Sequence, residues 1–94
     1  MILLLTALAM AGESDEALAA EHVRLSETMR SLASRNIWDG VDRSYRELES
    51  LRIALTHDDH YLGAQAAWAQ GDAGSTRIRL ERALAQEADA EVKQ

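Results

Sequence analysis

The segment WAQGDAGSTRIRLERAL, residues 68–84, is the most informative about the fold because it holds a break between two helical patterns. An alanine-rich run ends in Trp68 and Gly71, and after Gly71 the small or apolar residues return every three or four positions, as Thr76, Leu80, Ala83 and Leu84. That spacing puts them on one face of a helix. Because glycine adopts a positive φ with little strain, Gly71 predicts the turn between two antiparallel helices.

Three further helical patterns precede this turn. The first runs from Ser14 to about Ser34, with an apolar face of Leu18, Val23, Leu25, Met29 and Leu32. The second begins near Trp38 and continues through Val41, Tyr45, Leu48, Leu51 and Leu55. The third starts at a cap formed by Thr56 or Asp58, and its face holds Tyr61, Ala64, Ala67 and Trp68. Alanine and leucine dominate and proline is absent, so we expect an all-α fold of four main helices with strand content near zero.

The second break resembles an earlier one at Asn36. Val41, Tyr45 and Leu48 follow Asn36 at the same distances at which Thr76, Leu80 and Ala83 follow Gly71, which gives a period of 35 residues. Short turns make consecutive helices antiparallel neighbours. The sequence therefore predicts one domain over residues 14–90, built from a first hairpin over about 22–55 and a second over about 57–90.

This pattern resembles the tetratricopeptide repeat, a helix pair of 34 residues with small or apolar side chains at fixed positions. The segment AQGDAGSTRIRLERALAQEADAE, residues 69–91, looks like the glycine-aspartate turn and second helix of such a repeat. It departs from the family pattern at Thr76, where alanine is usual, and at Ala88, where proline is common. Asn36 stands where the first copy would have glycine. The resemblance implies a short right-handed array of stacked hairpins.

In that family the first helix of each pair lines a groove that binds an extended peptide or a partner helix. Carried over by position, the resemblance places five residues in this groove: Ser26, Arg30, Tyr61, Gln65 and Trp68. Aromatic side chains and arginine are typical of binding hot spots. Tyr61 and Trp68 have an alternative role as core residues that seal a helix rich in alanine. Since two repeats are fewer than a solenoid usually needs, we expect self-association, a stabilising N-terminal helix or a longer array.

Charge and composition exclude several function classes. Sixteen acidic and ten basic side chains give a net charge of −6, and the scattered basic residues argue against nucleic acid and anionic membranes as partners. There is no cysteine, no glycine-rich phosphate loop and no serine in a nucleophile elbow, so we expect a non-catalytic protein without a cofactor. Asp42 and Arg46 predict an exposed ion pair on the second helix. The expected partner is another protein, a peptide or a second copy of the chain.

The segment His57-Asp58-Asp59-His60 supports an alternative function. Two imidazoles one helical turn apart can bind a transition metal together with carboxylates. The competing interpretation is a capped helix start, where acidic residues suit the positive helix end. The spacing lacks an HExxH or CxxC pattern, so we predict no metal site and keep a metal-binding or self-associating helical protein as alternatives.

The first eleven residues, MILLLTALAMA, are uncharged and apolar. They are too short to span a bilayer, which takes about 20 apolar residues. Three interpretations remain: an export signal ending in Ala9-Met10-Ala11, a first helix packed on the core, and an anchor at a membrane surface. An export signal would place the protein in the periplasm or outside the cell, and the other interpretations leave it in the cytoplasm.

Overall fold

A computed structural model describes the backbone of residues 2–93 and the side chains of residues 15–86. The chain forms four α-helices: α1 Ile2–Ser34, α2 Trp38–Ser50, α3 His57–Ala69 and α4 Ala73–Lys93. Within residues 2–93 there is no β-strand, so the predicted all-α fold with four main helices is confirmed. The predicted start of the first helix at Ser14 is wrong, because α1 runs without a break from Ile2 through Ser14. The roles predicted for residues 1–11 depend on side chains that lie outside the described residues.

The turns after α1 and α3 have the same backbone geometry, 35 residues apart. Asn36 and Gly71 both adopt left-handed conformations, with φ of 60° and 77°. The equivalent N–H to C=O bonds are Asn36 to Ala33 and Gly71 to Trp68, both 3.0 Å, and Ile37 to Leu32 and Asp72 to Ala67, both 2.9 Å. Together each pair of bonds forms a Schellman motif, which satisfies the last carbonyls of a helix. The break predicted from Gly71 is therefore matched, bond for bond, at Asn36.

The two turns differ in how they start the next helix. Asp72 accepts a hydrogen bond from the backbone N–H of Ser75 at 3.0 Å and another from its hydroxyl at 2.7 Å. The corresponding residue before α2 is Ile37, which makes no side-chain cap. The side chain of Ile37 lies near that of Leu32, because a Cβ built on Gly40 would contact both of them.

The second hairpin packs against both helices of the first. Helix α3 contacts α1, α2 and α4, and α1 also contacts α2. The core cluster lies at this junction and consists of Leu25, Met29, Val41, Tyr45, Leu48, Leu55 and Ala66. Tyr45 is fully buried within this cluster.

Small residues on α3 allow this close packing. A Cβ built on Gly63 would lie 2.5 Å from the ring of Tyr45, so the ring occupies the space that any larger side chain would need. Ala64 and Ala67 are also buried. Close helix approach at small residues follows from the high packing density of protein interiors.

The predicted end of the second helix is wrong. Helix α2 ends at Ser50, and Arg52 takes a left-handed φ of 57°, which reverses the chain before α3. Leu55 nevertheless reaches the core from the connecting segment. Leu55 follows Leu51 by four positions, which is also the spacing of a helix. A buried residue on a connecting segment can therefore be mistaken for a continuation of the helix.

Candidate functional site

A buried carboxylate, Asp59, ties the start of α3 to α1. Its oxygens accept hydrogen bonds from the Ser26 hydroxyl at 2.7 Å, from Nε2 of His22 at 2.7 Å and from the Thr56 backbone N–H at 3.0 Å. The Thr56 hydroxyl accepts in return from the Asp59 N–H at 3.1 Å, which completes a capping box. The predicted cap at Thr56 is confirmed, but the acid that accompanies it belongs to the core.

Electrostatics explain why Asp59 stays ionised although it is buried. Burial alone would raise the pKa of this carboxyl, but hydrogen bonds from His22, Ser26 and Thr56 outweigh that effect and hold the pKa below its ordinary value. These donors stabilise the buried carboxylate, whereas burying an unpaired charge would cost a large free energy.

Serine, histidine and aspartate in one cluster are typical of nucleophilic catalysis, but the hydrogen bonds among these three side chains do not have the arrangement that such catalysis needs. Ser26 donates directly to Asp59 and His22 donates to the same carboxylate, so no imidazole nitrogen is placed to take the serine proton. The serine side chain is also buried, with 7% of the residue exposed. We interpret the cluster as a structural link between the hairpins.

The structure therefore does not place Ser26 at the surface that the sequence assigns to it. The position belongs to the face of α1 that α3 covers, and its hydroxyl has Asp59 as partner. Arg30, the other predicted groove residue on α1, is exposed but does not line the cleft described below. Neither residue contributes to one continuous groove with α3.

A second polar set joins α4 to the first hairpin. Arg79 is buried and donates to Asp42 at 2.5 Å and to the carbonyl of Gly63 at 2.9 Å. Its guanidinium lies 4.5 Å from the centre of the Tyr45 ring. Asp42 also pairs with Arg46 at 2.9 Å, as predicted, but the expectation that Asp42 points outward is wrong because Arg79 draws it into the interior.

His60 belongs to the same interior. The Tyr45 hydroxyl accepts from Arg82 at 3.3 Å and is hydrogen-bonded to Nδ1 of His60 at 2.9 Å. Burial, assisted by the positive charge of Arg82, lowers the pKa of His60. Burial also raises the pKa of Tyr45. Both rings are therefore neutral near pH 7.

The two histidines of the metal alternative have other partners. Nδ1 of His57 donates to the carbonyl of Ala83 at 2.8 Å, and Nδ1 of His60 is hydrogen-bonded to the Tyr45 hydroxyl. Within the part of the chain that the structure describes, no three His, Cys, Asp or Glu side chains come together as a metal site. The two imidazoles thus serve as links between helices.

The surface suited to binding is a cleft between α3 and α4, which we name the Trp68 cleft. It has a volume of about 500 Å³ and is lined by Trp38, Tyr61, Ala64, Gln65, Trp68, Ala69, Thr76 and Leu80. Three of the five predicted groove residues, Tyr61, Gln65 and Trp68, therefore lie together here. Trp68 is 71% exposed and Tyr61 is 47% exposed, which excludes a core role for both.

Two walls of the cleft are not among the predicted groove residues. Trp38 comes from the start of α2, where the side chain of Gln70 donates to its backbone carbonyl at 3.2 Å and fixes the end of α3 beside it. Leu80 comes from α4 and is 37% exposed. The 35-residue period is the signal that could have found Leu80, because it makes Leu80 the equivalent of Tyr45 on the apolar face of the second helix.

The fold defines an all-α protein built from two helical hairpins, with a largely apolar cleft at one side of the second. Comparison with protein-family models, with curated proteins and with solved structures finds no match. Among the described residues, no helix combines the length and the apolar character that crossing a bilayer requires.

Proposed function

We propose that the protein is a non-catalytic interaction module, similar to a short array of tetratricopeptide repeats, that binds a peptide or a partner helix in the Trp68 cleft. Two turns with equivalent hydrogen bonds support the repeat. The packing of α3 against both helices of the first hairpin is the arrangement that stacked repeats require.

The exposure of Trp68 is the observation that carries this proposal. A tryptophan with most of its surface in water, beside Tyr61 and Leu80, leaves a large apolar area uncovered. Burying such area stabilises a complex by about 25 cal/mol per Å². Tryptophan and tyrosine are also the residues most enriched at binding hot spots.

The test is a selection of displayed peptides against the protein, followed by affinity measurements on single variants. We expect Trp68→Ala to weaken the selected peptides by about 2 kcal/mol, roughly 30-fold, as hot-spot truncations do. The matched control is Ile78→Ala, since Ile78 is 51% exposed on α4 but does not line the cleft. Equal loss in both variants, or loss of helicity in Trp68→Ala, would contradict the proposal.

Arg30→Glu tests how far the binding surface extends. The resemblance to tetratricopeptide repeats includes Arg30 in the groove, whereas the cleft geometry leaves it out. We expect this variant to bind the selected peptides as the wild type does. A clear loss would show that the ligand continues from α3 onto α1.

Self-association through the same cleft is the competing function. Light scattering across a dilution series separates the two, because a dimer held by this surface dissociates on dilution and loses stability with Trp68→Ala. A monomer at all concentrations leaves a different protein or peptide as the ligand.

A further inference from the structure

The internal repeat indicates what the Trp68 cleft binds, an inference that rests on the proposed function. In the first hairpin the corresponding surface is already covered, by α3. Four cleft residues stand 35 positions after residues that α3 covers: Tyr61 after Ser26, Ala64 after Met29, Thr76 after Val41, and Leu80 after Tyr45. All four residues of the first set are buried. The cleft is therefore the second hairpin's equivalent of the surface on which α3 sits.

The polar part of the α3 contact also has its equivalent. On α1, His22 and Ser26 are one helical turn apart and both donate to the Asp59 carboxylate. The residues 35 positions later on α3 are His57 and Tyr61, again an imidazole and a hydroxyl one turn apart. Their rings are stacked, with centres 6.2 Å apart. In the second hairpin these two side chains face no such carboxylate from the described part of the chain.

The spacing of α3 gives the pattern that an occupant needs. Thr56 caps the helix, Asp59 supplies the carboxylate three residues later, and Gly63 follows four residues after that and packs against Tyr45. In the cleft the equivalent of Tyr45 is Leu80, which is smaller, so alanine as well as glycine fits at the third position.

We propose that the Trp68 cleft binds the first turns of an α-helix from a partner protein with the pattern Ser/Thr-x-x-Asp/Glu-x-x-x-Gly/Ala. The carboxylate of this helix accepts a hydrogen bond from the Tyr61 hydroxyl. The small residue packs against Leu80, and the flanking apolar residues cover Trp68.

A second copy of the chain, stacked head to tail, would not place a helix with this pattern in the Trp68 cleft. The helix that would enter the cleft is α1, in which Arg24 stands at the position of Asp59 and Thr28 at the position of Gly63. Arg24 is a cation paired with Glu21 on its own helix, so it cannot accept from a hydroxyl. The partner is thus a different chain with an acidic helix start.

The test uses two synthetic helical peptides that differ in one residue. One carries Thr-x-x-Asp-x-x-x-Ala, the other has Asn in place of Asp, and both have the same leucine and alanine residues elsewhere. Calorimetry should show the Asp peptide binding wild type about 10-fold more tightly, because a hydrogen bond to a charged group is stronger than a neutral one. Tyr61→Phe should remove this preference, and it should weaken the Asp peptide more than the Asn peptide, because the Asn peptide loses only a neutral hydrogen bond.

Equal affinity of the two peptides for wild type, or a preference that survives Tyr61→Phe, would overturn the proposal. Melting curves check that Tyr61→Phe folds as wild type does, which is expected for a half-exposed residue. If neither peptide binds while displayed peptides bind in a Trp68-dependent way, the helix pattern is wrong and the proposed function stands. If no peptide of either source binds, both fail.

Discussion

The single residue His60 shows how burial controls protonation. Its imidazole is packed among charged or titratable groups from three helices: Tyr45 and Glu49 from α2, His57 and Asp59 from α3, and Arg82 from α4. Burial is the largest influence and Arg82 acts in the same direction, so the pKa in the folded protein lies below the ordinary 6.5. Protonation therefore favours the unfolded chain.

This sign predicts a pH dependence of stability. The contribution of His60 is complete above pH 6.5 and is lost as the pH falls below that value, because the unfolded chain then binds the proton more readily. We expect the difference in melting temperature between wild type and His60→Gln to shrink between pH 7.5 and pH 5.

Asp59 does not interfere with this measurement. Its folded pKa is also lowered, so its contribution is lost only below about pH 4, where a free carboxyl takes up protons. Both proteins share that acid loss. Parallel melting-temperature curves between pH 7.5 and 5 would contradict the assignment to His60.

The sequence could not reveal the role of Ser26 or Asp42. Each has its decisive partner far along the chain, Asp59 at 33 residues and Arg79 at 37 residues. Helical spacing assigns a residue to a face of its own helix but does not indicate which other helix covers that face. Both side chains looked solvent-facing for this reason.

Among the structural elements, the two Schellman turns allow the same comparison of glycine, asparagine and alanine at two positions. Positions 36 and 71 both need a left-handed backbone, which glycine adopts freely, asparagine tolerates and alanine resists by about 1–2 kcal/mol. At position 71 we expect stability in urea unfolding to decrease in the order Gly, Asn, Ala.

The same order at position 36 is the internal control. Asn36→Gly should match or exceed wild type, and Asn36→Ala should destabilise it. No Cβ contact complicates Gly71, since nothing lies within 4 Å of a Cβ built there. An alanine at position 71 as stable as glycine would show that the left-handed turn is not what stops α3.

The sequence was most informative about where helices begin. The starts of α2, α3 and α4 follow from Trp38, Thr56 and the break at Gly71-Asp72, where local hydrogen bonds and turn chemistry act within a few residues. The end of α2 was missed because Leu55 continued the apolar spacing beyond the reversal at Arg52. The cleft was only partly predictable, since Trp38 and Leu80 reach it from two other helices.

At the scale of the whole molecule, Gly63 lies where the two hairpins meet. Gly63→Ala gains helix propensity but drives a methyl group into the Tyr45 ring, and overpacking of this kind costs about 1–3 kcal/mol. We therefore expect a net loss of unfolding free energy, measured in urea.

Gly74→Ala is the matched control, because its Cβ would meet only an Asp72 oxygen at 3.8 Å. Without a clash this change should stabilise α4 by up to about 1 kcal/mol. If both substitutions stabilise the protein, the contact between the hairpins is looser than the Tyr45–Gly63 packing indicates.

The shared carboxylate of Asp59 has a consequence for how the chain assembles. The same carboxylate that accepts from the backbone amide of Thr56, the cap residue of α3, is held in place by donors from α1. Initiating this helix and joining the two halves are therefore a single cooperative event. Helix nucleation is unfavourable by itself and is helped by whatever fixes its first turn. Neither half should therefore form a persistent folding intermediate alone, and the refolding kinetics should fit one exponential phase.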